Sequence, residues 1–372
     1  MSAMDVLKAL GGSPAAPPIT LPASIPLELS GEAVRGRICI FNDADGREWA
    51  LRPDLTLPVA RDEIDSRRAG LAEPSSRYYH GPVFRLPNRP SDPVEFDQMG
   101  MERFGAPSTP ETDLSVFSAI CSACSAEGVS EGTARFGDLS VFPAFVDALG
   151  LSDEITAGLK RAFRQEGGVR AFLEAERGGA VSGLSKRMQG MAREDVAAFV
   201  DDIFAITGIR PVGERSGDDI IDRLHERAQA AAGAEVSDSE RTLLNTVLDV
   251  DVPVFEVAES FARLASESKL DGLDPLLERL TVLTDGLRDA ELSAFTGTGR
   301  FATRFGRRFT YYDGFVFEIA ASEALAEEGQ PFAAGGRYDR LLSDLSGGEV
   351  SASAIGGVII PYRLQAALGG VS

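Results

Sequence analysis

Residues Arg77 to Gly105 read RYYHGPVFRLPNRPSDPVEFDQMGMERFG. Two β-type runs, RYYHGPVFR and VEFDQMGMERF, flank a proline-rich loop, which predicts an antiparallel hairpin. Gln98 and Glu102 lie an even distance apart on the second run, and alternation along a strand puts both on one face. A carboxylate and an amide on one sheet face can hold a small polar ligand. Arg85 ends the first run, facing the loop.

The elements that would position these groups follow from pattern. RICIFNDADGREWALR predicts a hairpin with Asp45-Gly46 at its turn. Pro53 opens a helix from Asp54 to about Ile64. Thr109 is a natural N-cap, with Pro110 at the first helical position, for the helix that carries Cys121 and Cys124. TARFGDLS reads as a further strand. From about Val141 the apolar residues recur at helical spacing, as in Ile155, Leu159 and Phe163, and strand patterns are nearly absent. From about Gly297 the β pattern returns. RRFTYYDGFVFEIA is strand-like, PFAAGGRYDRLL reads as a glycine-rich turn running into a helix, and ASAIGGVIIPYRLQAAL reads as a buried strand ending at Pro361 with a short helix after it. These patterns predict an α+β core from two discontinuous segments, residues 1–140 and 293–372, and an all-helical insertion over 141–292.

A chain of 372 residues can bury a full core and hold more than one domain. The net charge of −20 sets up a field that repels nucleic acid, so no nucleic-acid partner is expected. No apolar run is long enough for a bilayer, and MSAMDVLKALGG lacks the basic flank and apolar core of a signal peptide. A cytoplasmic protein without membrane contact is expected. Cys121-Ser-Ala-Cys124 has no second pair to complete a metal site, so the cysteines read as buried structural residues, and no metal or cofactor is expected.

Four stretches, in order, resemble the catalytic domain of histidyl-tRNA synthetases, a class II aminoacyl-tRNA synthetase family. LRPDLT (Leu51 to Thr56) is similar to the family's LRPEGT, and the hairpin is similar to its motif 2. RRFTYYDGFVFE (Arg307 to Glu318) is similar to RGLDYYTGTVFE, and AGGRYD with AIGGVIIPYRL is similar to GGRYDGL and motif 3. The resemblance implies a class II synthetase-like antiparallel sheet flanked by helices. It further implies a histidine pocket in which Asp54, Thr56 and Gln98 surround the ammonium. Arg307 would meet the carboxylate, and Glu102 with Tyr311 and Tyr312 would meet the imidazole. Arg85 and Arg363 match the two ATP-site arginines.

The nucleotide half departs from that pattern. Pro87 stands where the family has an adenine-reading glutamate, and proline offers neither acceptor side chain nor backbone N–H. Ser91-Asp92-Pro93-Val94 replaces a basic loop. Arg308, Thr310, Arg340, Ile360 and Tyr362 replace smaller or acidic residues. The chain ends at Ser372, shortly after Arg363, where the family continues into an anticodon-binding domain, so no such C-terminal domain is expected. A retained amino-acid pocket with a degraded ATP site is similar to the regulatory subunits of ATP phosphoribosyltransferase. That resemblance implies a non-catalytic chain, without catalytic residues of its own and with Arg85 and Arg363 as vestiges. It would dimerise, join a short-form catalytic subunit in a hetero-octamer, and mediate feedback by L-histidine in the first step of histidine biosynthesis. The alternative is a truncated histidyl-tRNA synthetase or a free-standing histidine-adenylating enzyme.

Overall fold

The computed structural model describes residues 1–9, 12–30, 32–70, 74–90, 92–165, 167–178, 195–199, 236–306 and 310–369. Its strands are β1 (Ser13–Pro14), β2 (Thr20–Pro22), β3 (Ile40–Asn42), β4 (Glu48–Leu51), β5 (Ser75–Phe84) and β6 (Glu95–Phe104) in the N-terminal part. They continue as β7 (Thr133–Asp138), β8 (Asp251–Pro253), β9 (Arg300–Ala302), β10 (Phe315–Ala320), β11 (Ala333–Arg337) and β12 (Ala354–Ile359). One sheet runs in the order β1-β5-β6-β12-β11-β10-β7-β9-β8, and a smaller one in the order β2-β4-β3. The central pairings β5–β6, β6–β12, β12–β11, β11–β10 and β10–β7 are all antiparallel. A mostly antiparallel sheet with helices is the α+β architecture expected from the sequence.

Both predicted hairpins form. Gly46 takes a positive φ of 79° at the turn between β3 and β4, while Asp43 Oδ1 accepts from the Asp45 and Arg47 N–H groups at 2.9 Å each. In the second hairpin Arg77 lies opposite Glu102 and Gly81 opposite Gln98. The helix Thr56–Arg68 turns its buried Leu57, Val59, Ala60 and Ile64 inward. Its fully buried Glu63 accepts from Arg67 Nε at 2.9 Å, Ser75 Oγ at 2.8 Å and Arg77 Nη2 at 3.1 Å. That clamp fixes the helix over the face of β5 and β6 that carries Glu102. Thr109 caps the helix Pro110–Ala126 by accepting from Thr112 N–H, as expected from sequence. Cys121 and Cys124 are buried in that helix, and burial pushes both thiols up.

Two segments differ from their sequence patterns. Tyr311 and Tyr312 precede the strand that their aromatic run suggested, since β10 begins only at Phe315. The glycines of PFAAGGRYDRLL are not in a turn: Gly335 and Gly336 lie within β11, at the centre of the sheet. A side chain at Gly335 would collide with the Gly356 carbonyl and the Phe317 ring. Packing across the sheet, rather than a turn, demands those glycines.

Cα packing divides the chain into one unit of Met1–Val141 with Val247–Ser372 and a second of Phe142–Thr246. Residues 247–292, placed by the sequence pattern in the helical insertion, therefore pack with the first unit. Two features account for it. The short strand β8 pairs with β9. The helix Asp274–Gly286 sends Arg279 to Asp113 Oδ2 at 2.6 Å and to Asp138 Oδ2 at 3.0 Å. Asp113 also holds Arg337, whose Nε donates to its Oδ1 at 2.7 Å. Asp113, Asp138 and Arg337 are all buried. In the second unit, the helices Asp153–Phe163 and Gly168–Gly178 are amphipathic, and Phe163 stacks on Phe142 at 4.7 Å. No helix among the described residues is long and apolar enough to cross a membrane.

Removing one member of a buried ion network leaves its partners charged and unpaired, which costs about 3–5 kcal/mol. Asp113→Ala is expected to lower the unfolding free energy by about that amount in urea titrations. A loss under about 1 kcal/mol would mean that Arg337 and Arg279 hold these elements together without it.

Candidate ligand-binding site

Glu102 sits on β6, an interior strand of the large sheet, and is 1% exposed. Thr56 Oγ1 donates to its Oε1 at 2.8 Å, and Tyr79 Oη donates to the same oxygen at 2.9 Å. Tyr338 Oη donates to Oε2. Opposite Glu102 on β12 is Gly356, where a Cβ would overlap Oε2. The carboxylate thus fills the space of a missing side chain. Burial is the largest influence on it and lifts Glu102 to about 7, against the three hydroxyls, which pull down, and Asp54, which adds to the rise.

Asp54 lies just ahead of the helix Thr56–Arg68 and is 4% exposed. Its Oδ1 accepts from Leu57 N–H at 2.9 Å. Its buried Oδ2 has no hydrogen-bond partner. Burial raises Asp54, opposed by the Leu57 N–H and the Arg85 charge. An unsatisfied buried carboxylate oxygen is costly, and a donor or cation supplied from outside relieves it.

Four tyrosines line this region. Tyr311 and Tyr312 pack with ring centroids 4.8 Å apart, and the Tyr338 ring lies 5.8 Å from Tyr311 and 6.3 Å from Tyr312. Burial pushes all four phenols, Tyr79 included, above their ordinary range. Gln98 is buried on β6, on the same face as Glu102.

The structure therefore brings Asp54, Thr56, Glu102, Tyr311 and Tyr312 into one region, with Gln98 on the same face of β6 as Glu102. Arg307 lies outside the described residues, as do Arg308 and Ser91. Arg85 Nε donates to the Pro53 carbonyl at 2.6 Å, and its guanidinium lies over the Phe96 ring at 5.5 Å. Arg363 donates from Nε to Tyr362 Oη at 3.0 Å and from Nη1 to the Pro331 carbonyl at 3.1 Å. Ile360 is buried in the same apolar cluster as Tyr311 and Tyr338, with Tyr362 packed against it.

Sequence reasoning missed Tyr79 and Tyr338. Tyr79 had a signal: with Arg77 opposite Glu102, alternation puts Tyr79 diagonally across the hairpin on the same face. Its position opens only once the register is fixed. Tyr338 lies far along the chain, and only strand order brings it to Glu102.

A family model described as "Histidyl-tRNA synthetase" matches residues 2–181 and 196–359. An ATP phosphoribosyltransferase regulatory subunit of Chelativorans sp. is 33% identical over 89% of this chain and 87% of its own length. One from Brucella anthropi is 32% identical over 95% of this chain and 92% of its own. A solved structure named as an ATP phosphoribosyltransferase regulatory subunit/histidyl-tRNA synthetase from Bacillus halodurans aligns with a TM-score of 0.63. It is 21% identical and covers 98% of this chain and 77% of that one. A histidyl-tRNA synthetase from Nostoc sp. aligns at 0.57 with 17% identity, over 99% of this chain and 70% of its own. These two establish the fold. The chain belongs to the histidyl-tRNA synthetase-like family and, within it, to the ATP phosphoribosyltransferase regulatory subunits.

Glu102 ties the site to pH. Its folded value of about 7 exceeds the ordinary 4.5, so the folded state holds a proton that the unfolded chain releases. The stability linked to that proton is complete below about pH 4.5 and is lost as pH rises through about 7. The difference corresponds to about 3 kcal/mol. Urea titrations from pH 4.5 to 8 are expected to show this decline, with a shallower slope in Glu102→Gln. Equal slopes would assign the decline to other buried carboxylates.

Proposed function

We propose that this chain binds free L-histidine between Asp54 and Glu102 and passes the state of that pocket to a short-form ATP phosphoribosyltransferase catalytic subunit, on which the phosphoribosyl transfer takes place. The observation that carries this reading is the pair of buried carboxylates with acceptor capacity left over. Asp54 has an unpartnered Oδ2, suited to the ammonium of an amino acid. Glu102 offers about four acceptor positions, of which three hydroxyls take three, leaving one for an imidazole N–H. The tyrosine rings supply flat apolar walls for a heteroaromatic side chain.

Several features favour regulation over adenylation. Arg85 and Arg363, the arginines that would meet a triphosphate, each spend a donor on a backbone carbonyl. Ile360 and Tyr362 pack where the resembling family keeps small or acidic residues. A ligand that prefers one conformation of an assembly shifts its population by that differential affinity, which is how a non-catalytic subunit confers feedback. The expected assembly is a hetero-octamer built on a homodimer of this chain, in the cytoplasm.

Co-expression with a short-form catalytic subunit is expected to give a stable complex whose transferase activity needs this chain and falls on adding histidine. Robust ATP–pyrophosphate exchange by the isolated chain with histidine would sink this reading in favour of an adenylating enzyme. By calorimetry, Asp54→Asn is expected to weaken histidine binding by about 1.5–3 kcal/mol, the loss of a charge-assisted hydrogen bond. Unchanged affinity would move the histidine site elsewhere, such as to the interface with the catalytic subunit.

A further inference from the structure

Four neighbouring strands, β10, β7, β9 and β8, make chain connections at one end of the large sheet. β7 and β9 run parallel, and β8 runs against β9 with Asp251 paired to Ala302. The carboxyl ends of β7 and β9 therefore lie beside the amino end of β8. β10 starts there too, with Phe315 paired to Asp138. The chain leaves the first packing unit after Val141, just past β7, and re-enters it at Val247, just ahead of β8. Both connections to the second unit thus reach the sheet at this end.

The stretch from Thr303 to Gly314 joins β9 to β10 and carries Tyr311 and Tyr312. Where it starts, it is bonded to the returning connection. Thr303 N–H donates to the Val250 carbonyl at 3.1 Å, Arg304 Nε donates to the Leu248 carbonyl at 3.1 Å, and Arg304 is ion-paired to Asp249. Leu248 closes the helix Asp238–Leu248, which begins in the second unit. Where the stretch ends, it is bonded to the outgoing connection. The Gly314 carbonyl accepts from Leu139 N–H at 3.0 Å. On either side of Leu139, Asp138 Oδ1 accepts from Ser140 N–H at 2.9 Å, just before the helix Val141–Ala148.

We propose that the Thr303–Gly314 stretch is a strap that couples the pocket to the second unit: a ligand packed against Tyr311 and Tyr312 restrains the strap, and the strap restrains both connections. The inference rests on the reading that these tyrosines wall a histidine pocket. It gives that pocket an output, the unit Phe142–Thr246. Coupling of this kind is reciprocal, so loosening the second unit weakens the ligand by the factor with which the ligand steadies the unit.

The test is amide hydrogen exchange on the full chain, with calorimetry beside it. With saturating histidine, the helix Asp153–Phe163 of the second unit is expected to exchange about fivefold more slowly. Histidine that binds and leaves that helix unchanged overturns the strap. The reverse arm is Phe163→Leu, which removes the ring stacked on Phe142. Its histidine affinity is expected to fall about fivefold, and an unchanged affinity also overturns the strap. A third arm needs no ligand. In Phe163→Leu the N–H groups of Thr303 and Leu139 are expected to exchange faster than in wild type, while β5 and β6 keep their rates. Unchanged rates at Thr303 and Leu139, or equal acceleration of β5 and β6, count against the coupling and overturn it. If wild type fails to bind histidine, the ligand assignment falls alone, and the third arm still decides whether the strap joins the two units.

Discussion

A carboxylate buried on an interior strand of a sheet constrains everything around it. Glu102 is buried, so the chain must bring hydroxyls to it and keep side chains out of its way. Thr56, Tyr79 and Tyr338 supply the hydroxyls, from the start of a helix, a neighbouring strand and the end of β11. Gly356 supplies the space. Gly100, two residues back on β6, plays a similar part: a Cβ there would meet the Tyr79 hydroxyl and the Gly357 carbonyl. Gly356 of β12 is thus a consequence of burying Glu102, while Gly335, Gly336 and Gly357 of β11 and β12 leave room for Phe317, Val316 and Ile120.

The ion network anchored on Asp113 extends that logic outward. Asp113 is pushed up by burial while Arg337 and Arg279 pull it down. It joins the helix Pro110–Ala126 to β11 on one side and to the helix Asp274–Gly286 on the other. Arg337 is the residue before Tyr338, so the network that locks residues 274–286 onto the sheet also fixes the backbone that delivers a hydroxyl to Glu102. The ion network and the site thus meet at adjacent residues, Arg337 and Tyr338.

The chain belongs to the ATP phosphoribosyltransferase regulatory subunits, and its buried polar groups are arranged around Asp54 and Glu102. Arg85 and Arg363 each donate to a backbone carbonyl, those of Pro53 and Pro331. A cation bonded to a carbonyl and set over an aromatic ring is positioned by the fold, as Arg85 is over Phe96 and Arg363 over Tyr362.

Much of this was legible in the amino-acid order. Strand alternation placed Gln98 and Glu102 on one face, Asp45-Gly46 marked a turn, and Thr109-Pro110 marked a helix start; each is a local rule acting over a few residues, and each element forms. The order of motifs gave the fold and the family. Tertiary structure alone decided the rest, because those facts depend on residues that meet across long loops. The partners of Glu102 come from positions 56, 79 and 338. Gly335 and Gly336, turn-like by composition, lie in a central strand because Phe317, Val316 and the neighbouring backbone occupy the space of their side chains. Residues 274–286 read as one more helix of the insertion, until Arg279 reached Asp113 and Asp138 and bound them to the sheet. Pattern and propensity act along the chain, whereas a buried charge is satisfied wherever the fold brings its donors.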